Sequence, residues 1–186
     1  MSGPSVGARS RIKLGRLMGL SVSADVSALI TSLLLWAMLS GAALLLLNRS
    51  FPVAITAGLI AVLLHWIGVV WHQLGHAWAA RRTGHPMVGM NMWGALSSSL
   101  YPTDEEPLPR PIHIQRALGG PLASLVLTVL AAIPLLIFSP DTTAWWLAFF
   151  FFLDNLLVFT LGSFLPLGFT DGSTLLQGRK ESKGDQ

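Results

Sequence analysis

Four long apolar stretches constrain the fold of this chain more than any other feature. They cover residues 26–47, 52–79, 118–138 and 144–167, and each reaches the roughly 20 residues that a helix needs to cross a hydrocarbon core. Hydrophobic residues make up 52% of the sequence and charged residues only 11%, against about 25% charged in soluble domains. The sequence therefore predicts an all-α membrane protein with four transmembrane helices, folded as a single domain over residues 1–186.

The basic residues predict the orientation of these helices. Of the twelve Lys and Arg residues, Arg49 follows the first stretch, and the other eleven lie on the opposite side of the expected membrane. The side that is rich in basic residues is expected to be the cytoplasm. Both termini are then cytoplasmic, in a multi-pass integral protein that we expect in a prokaryotic cell (inner) membrane. Since the pI near 10 comes from charges that flank the lipid bilayer, we reject a nucleic-acid partner.

Residues 86–100 are too apolar for a solvated loop and too short to span the membrane. They include two glycines and several large apolar residues: Met87, Val88, Met90, Met92, Trp93 and Leu96. Because backbone at membrane depth must be hydrogen-bonded, we expect a membrane-associated, re-entrant β-hairpin here. The acidic and proline-rich residues 102–111 then form a wet connector, and residues 178–186 form a frayed tail.

A histidine pair near the end of the second stretch is the strongest chemical signal. His72 and His76 are four residues apart, so they project from one face of a helix and can share a metal ion. Such a pair also arises by chance, and histidines at a membrane interface often only form hydrogen bonds. Asp171, however, follows the fourth stretch at a similar expected depth. Two imidazoles, one carboxylate and a fourth position for water are typical of a catalytic zinc site, which favours metal binding.

Gln73 lies where the His-Glu-x-x-His pattern of zinc proteases has its general base. A glutamine amide can hydrogen-bond a water molecule, but it cannot accept the proton of that water. The sequence thus predicts a metal site without its proton acceptor.

Two further polar groups lie inside the apolar stretches, namely His65 in the second and Asp154, beside Asn155, in the fourth. One interpretation is that His65 or another polar group pairs with Asp154, because deep polar residues commonly pair with one another. The other is a polar wall that admits water or substrate. We favour the pairing.

Five segments, in their order along the chain, resemble motifs of the site-2 proteases, which are intramembrane zinc metalloproteases. Residues 12–20 are similar to the amino-terminal strand of that family, and residues 80–86 to the segment that enters its membrane-associated β-hairpin. Residues 72–76 (His-Gln-Leu-Gly-His) match its metal motif except at Gln73. Residues 117–124 resemble its Ala-Gly-Pro-Leu segment, and residues 165–172 its Leu-Pro…Asp-Gly motif.

The resemblance implies a site-2 protease core in which His72, His76 and Asp171 bind Zn²⁺. Gln73 then occupies the position of the catalytic glutamate. The implied activity is cleavage of a transmembrane protein substrate near the cytoplasmic face, where the hairpin would pair with a locally unwound stretch of the substrate. Because general acid–base catalysis contributes roughly 10²–10⁴ in rate, we expect Gln73 to leave the metal bound and to remove most turnover.

The resemblance also indicates three substrate contacts, Ser163, Ser124 and Gly94. Ser163 lies where the family usually has an asparagine, and Ser124 where many members have one. A single exchange at Gln73 is typical of an engineered substrate trap, whereas the second departure at Ser163 leaves open a natural pseudoprotease that binds and regulates a membrane partner. A metal transporter is less favoured, because the histidines and Asp171 cluster at one edge of the membrane.

Overall fold

The computed structural model describes residues 11–165 and 171–172, and its framework is a set of long apolar helices. α1 covers Val26–Leu45, α2 covers Phe51–Arg82 and α3 covers Arg110–Ile137. A fourth helical span covers Thr143–Phe164. Each of these four helices is long and apolar enough to cross a membrane, so the predicted all-α membrane fold is confirmed.

The backbone hydrogen-bonding pattern of the fourth span changes along its length. It begins as α4 (Thr143–Leu153), continues as a π-helical segment (Asp154–Leu161) and ends in a 3₁₀ turn (Gly162–Phe164). π-Helical turns are rare in proteins, and those that do occur are often found at functional sites. Pro166 and Gly168 of the Leu-Pro…Asp-Gly motif lie outside the described residues, as does the tail expected at residues 178–186.

A four-stranded sheet accompanies the helices and contains the expected hairpin. β1 (Arg11–Leu17) and β2 (Leu20–Asp25) precede α1, and β3 (Gly89–Trp93) and β4 (Leu96–Leu100) lie between α2 and α3. The order is β1-β2-β3-β4, with β2 and β3 parallel and the two outer pairs antiparallel. The amino-terminal segment, which resembles one strand, is therefore a hairpin, and β4 lies at an edge of the sheet.

Small residues bring the helices together, while many large apolar side chains face outward. Gly58 of α2 lies so close to Ser40 of α1 that an added Cβ would overlap the Ser40 side chain. Close approach through small residues is typical of helix pairs in membranes. More than half of the surface remains exposed on several large side chains, as expected of residues that face lipid: Leu29, Leu34, Met38, Leu63 and Val129. α2 is the most buried helix, and its inner face carries His65, His72 and His76.

Candidate metal centre

The two motif histidines lie on the buried face of α2 with their Nε2 atoms together. The Nε2 atoms of His72 and His76 are 3.0 Å apart, and both side chains are almost fully buried. The rings are nearly perpendicular, at an interplanar angle of 79°. The i, i+4 spacing of a helix produces this convergence, as the sequence predicts.

Partners on α3 hold the other nitrogen of each ring. Nδ1 of His72 is 2.9 Å from Oγ of Ser124, and Nδ1 of His76 is 2.8 Å from the backbone oxygen of Arg116. An N–H that donates from Nδ1 leaves the Nε2 lone pair free for a metal ion, and such partners orient metal-binding histidines. The Ser124 side chain is fully buried. The Arg116 carbonyl requires an N–H at Nδ1 of His76, and the Ser124 hydroxyl can accept one from Nδ1 of His72, so both Nε2 atoms can act as ligands.

Three glycines allow α2 and α3 to approach closely enough for these contacts. A Cβ on Gly75 would collide with the backbone of Gly119, and a Cβ on Gly119 would collide with Gly75 and Ala79 in return. A Cβ on Gly120 would overlap the Nε2 atoms of both histidines. The space in front of the imidazoles thus depends on the absence of a side chain at Gly120.

Asp171 completes the group from beyond the fourth span. Its Oδ2 lies 3.4 Å from Nε2 of His72, and its Oδ1 lies 3.4 Å from Nε2 of His76. Burial opposes ionisation of this carboxyl group, but the neighbouring imidazoles of His72 and His76 outweigh it and lower the pKa of Asp171 to about 2. Asp171 is therefore ionised at neutral pH, which is the form that binds metal ions.

The spacing of these atoms fits a small tetrahedral ion. One ligand atom from each of the three residues can be chosen so that all lie within 4.8 Å of one another. Tetrahedral bonds of about 2.0–2.2 Å place ligand atoms about 3.3–3.6 Å apart, close to the separations of 3.0 and 3.4 Å found here. The group of His72, His76 and Asp171 could thus hold a metal ion with little rearrangement.

Gln73 lies beside this group and is in contact with β4. The Ser99 hydroxyl donates a hydrogen bond of 2.8 Å to Oε1 of Gln73, whose side chain is buried. Both residues line an open cavity of about 550 Å³, which also includes His72, His76 and Asp171. The cavity extends along β4 and reaches the π-helical segment. A peptide segment that entered this cavity would therefore meet the metal ligands, Gln73 and β4 together.

The residues that we expected to contact substrate are dispersed. Ser163 lines the cavity, and its hydroxyl donates to the backbone oxygen of Thr160. Ser124 lies behind His72. Gly94 lies in the β3–β4 turn with a φ of 53°, a conformation that favours glycine. The metal ligands and Gln73 are thus brought together, Ser163 borders the same cavity, and Ser124 and Gly94 lie elsewhere.

A cluster around Arg116 closes one side of the cavity, and motif reasoning missed it. The buried Arg116 guanidinium donates to both carboxylate oxygens of Glu105 at 2.7 and 2.9 Å and to the His85 backbone oxygen. It also stacks 3.9 Å from the centre of the Tyr101 ring. Hydrogen bonds from Arg116 lower the pKa of Glu105, and burial raises the pKa of Tyr101. The available signal was an arginine that lies directly before an apolar stretch and close to a proline-rich acidic connector.

The expected pairing of His65 with Asp154 is confirmed. Nδ1 of His65 lies 3.0 Å from Oδ2 of Asp154, and both side chains are buried. The π-helical segment also places Phe159 against the two rings that face it, with ring centres 5.5 Å from His65 and 5.9 Å from His72. The pair therefore satisfies two buried polar groups near the metal centre.

Comparison with known proteins supports the same architecture. No family model matches the chain, and no curated protein matches its sequence. Among solved structures, the site-2 protease from Methanocaldococcus jannaschii matches with a TM-score of 0.66 and 16% sequence identity. The match covers 94% of this chain and 73% of that one. The chain therefore has the fold of a site-2 protease, as the sequence resemblance implies.

Proposed function

We propose that this chain, which has the site-2 protease fold, is an intramembrane zinc metalloprotease whose turnover is suppressed by Gln73. The observation that carries the proposal is the convergence of His72, His76 and Asp171 on one point at the edge of an open cavity. Two imidazoles and one carboxylate, with room for a fourth ligand, are the donor set of catalytic zinc sites. The depth of this group within a helical bundle supports a substrate that is itself a transmembrane protein.

Zn²⁺, when bound by these three residues, supplies a Lewis acid that polarises a carbonyl group and acidifies a water molecule. The chain supplies the remaining parts. Ser124 and the Arg116 carbonyl orient the two imidazoles, and Gly120 keeps the space in front of them open. Ser99 holds the side chain at position 73. A glutamate at that position would accept the proton that the amide of Gln73 cannot accept.

The edge of β4 supports a mode of substrate binding. A substrate helix must unwind locally to expose a peptide carbonyl, and an unwound segment can add to the edge of a sheet as an extra strand. β4 lies at the sheet edge and lines the cavity through Leu96 and residues 97–99. The backbone of Asn91 and Ser98 is paired within the hairpin, so the N–H of the next residue, Ser97, faces the free edge. Proline substitution at Ser97 should therefore weaken substrate binding in a Gln73→Glu chain. If binding and cleavage were unchanged, strand addition would be wrong.

The second candidate function is that of a natural pseudoprotease that binds and regulates a membrane partner. Gln73 itself favours it, since the buried amide is held by a hydrogen bond and lies where catalysis needs a base. In this function the chain would bind the metal ion and use the cavity, but it would not cleave peptide bonds. Ser163, at a cavity position where the family usually has an asparagine, also favours it.

The deciding experiment restores the base. The Gln73→Glu chain is reconstituted in liposomes with a panel of fluorogenic single-span peptides, and cleavage is compared with the parent and with Gln73→Glu/His76→Ala. We expect Gln73→Glu to cleave roughly 10²–10⁴-fold faster than the parent and the double variant to cleave nothing. Zinc per chain is measured in parallel. A Gln73→Glu chain that holds zinc but cleaves nothing would favour the pseudoprotease.

The orientation and location remain part of the proposal. The basic flanks support a metal centre near the cytoplasmic face, with both termini on that side of a prokaryotic cell membrane. Labelling of single introduced cysteines from each side of inverted vesicles tests this, because the chain has no cysteine of its own.

A further inference from the structure

His65 of α2 contacts both the fourth span and the β3–β4 turn. Its Nδ1 lies 3.0 Å from Asp154 in the fourth span, and its Nε2 lies 2.9 Å from the backbone oxygen of Ala95 in the β3–β4 turn. The ring is thus held at both ends. Since His65 is seven residues before His72, the turn reaches about 10 Å further along α2 than the metal centre does.

Burial makes both contacts of the ring necessary. The side chains of His65 and Asp154 are only 6% and 8% exposed, and an unpaired polar group at such a position is costly. Both partners of the ring are oxygen atoms, so Nε2–H donates to the Ala95 carbonyl while Nδ1 hydrogen-bonds with the Asp154 carboxyl group. Asp154 therefore holds the ring in the orientation in which it can contact the turn.

The β3–β4 turn leads directly into β4, the strand that borders the cavity. β4 begins at Leu96, directly after Ala95, and reaches Ser99, which contacts Gln73. On the other side of the turn, the Gly94 N–H donates to Ser27 of α1 at 3.2 Å. The contact with His65 connects the turn directly to the helix that carries the two metal-binding histidines.

We propose that His65, held by Asp154, is a positioning residue that fixes β4 against the metal-bearing face of α2. It does so through the Ala95 carbonyl, and it thereby sets where a substrate strand and the side chain at position 73 lie relative to the metal ligands. This inference rests on the proposed protease function for its effect on cleavage. The positioning of β4 itself does not depend on catalysis.

The test uses full-length chains with Gln73→Glu in liposomes, and it compares three variants. His65→Leu removes the contact with Ala95. Asp154→Asn keeps a partner for His65, since an amide can donate to Nδ1 while Nε2–H donates to Ala95. Ser32→Ala is the matched control, because it removes the hydrogen bond of 2.9 Å from Trp66, one residue from His65, without touching the hairpin.

Three quantities are measured for each variant: zinc per chain, kcat and KM for a single-span peptide, and the distance distribution between spin labels at Ser98 and Leu136. Both labelled positions are exposed, and the chain has no native cysteine. For His65→Leu we expect unchanged zinc, a broadened label distance and a loss of kcat/KM of about 10- to 100-fold, the range expected of a displacement near 1 Å. Asp154→Asn should keep most of the parent's kcat/KM and a label distance close to that of the parent. Ser32→Ala should show neither the broadened distance nor the loss of kcat/KM.

An unbroadened label distance in His65→Leu would overturn the proposal, as would an equal loss of kcat/KM in Ser32→Ala. A chain with Gln73→Glu that cleaves nothing would count against the protease function alone. The label distance would still decide whether His65 positions β4. Loss of zinc in His65→Leu would also overturn the proposal, since it would show general damage to the bundle.

Discussion

The Ser99 hydroxyl donates a hydrogen bond of 2.8 Å to Oε1 of Gln73, so the strand that borders the cavity holds the side chain that decides the chemistry. In a Gln73→Glu chain the same hydroxyl would donate to a carboxylate oxygen and orient it. Ser99→Ala in that background should lower kcat about 10-fold and leave zinc per chain unchanged, because oriented groups lose rate when their support is removed. Ser97→Ala, on the same strand, is the control for kinetics on single-span peptides. Equal kcat in the two variants would contradict this role of Ser99.

Removal of a metal ligand should remove the metal. We expect about one zinc per chain in the purified parent and almost none in His76→Ala or Asp171→Ala, because two remaining ligands do not complete a tetrahedral site. Metal content by mass spectrometry of detergent-purified protein checks this. His113→Ala is the control, since His113 lines the same cavity but is not one of the three ligands. A parent that is folded but free of zinc would end the metalloprotease interpretation.

The hydroxyl behind His72 should affect metal affinity without being a ligand. Ser124→Ala removes the partner of Nδ1, and loss of such a partner lowers metal affinity by about 10- to 100-fold. Competition with a zinc chelator gives the affinity. Thr128→Val makes a suitable comparison, since its hydroxyl donates to the Ser124 backbone and not to a ligand. An affinity that Ser124→Ala does not change would show that the hydroxyl plays no part in orienting the ring.

Gly120 provides a steric test of the site. A methyl group there would overlap the Nε2 atoms of His72 and His76, so Gly120→Ala should abolish zinc binding. Gly41→Ala is the matched control, because a Cβ at Gly41 meets nothing within 4 Å. Zinc per chain and thermal unfolding are measured for both. Normal zinc content in Gly120→Ala would mean that the two helices separate easily, contrary to their close approach at Gly75 and Gly119.

The pairing of Glu105 with Arg116 predicts a dependence of stability on pH. Hydrogen bonds from Arg116 lower the pKa of Glu105 below its ordinary value of 4.5, so the folded state favours the ionised carboxylate. The resulting stabilisation is fully present above pH 4.5 and is lost as the pH falls through the lower pKa of the folded state. Glu105→Gln should therefore lower Tm near neutral pH and leave it unchanged at the acid end. Glu106→Gln, at an exposed neighbouring residue, should follow the parent at every pH.

The sequence predicts the helices of this chain better than the contacts between distant segments. Apolar length alone indicates four spans, but α3 begins at Arg110, well before the apolar stretch at 118–138. That first part of α3 contains the polar residues His113 and Arg116, so hydrophobicity alone does not predict that it is helical. The parallel pairing of β2 with β3 joins segments on either side of two helices, and no local pattern in either strand specifies it.

In the candidate site, too, the sequence predicts some contacts and not others. The helical spacing of His72 and His76 predicts their convergence, whereas the contact of Ser99 with Gln73 depends on how the hairpin packs against α2. The π-helical register of Asp154–Leu161 is also invisible in the sequence, because it arises where the fourth span packs beside α2 and α3. The pairing of His65 with Asp154 was predictable, since two costly polar groups in one bilayer have few other partners.

The meeting of Asp171 with His76 has a consequence for the integrity of the molecule. The ligand atoms of the two residues lie 3.4 Å apart, although α3 and the fourth span separate them along the chain. Only folding brings these two residues together, so an ion that needs both of them binds the folded chain and not the unfolded one. Such an ion would raise the free energy of unfolding by an amount that grows with its concentration. In a chain with Gln73, the ion would thus have a structural role: it would link Asp171 to α2 and stabilise the bundle even where no peptide bond is cut.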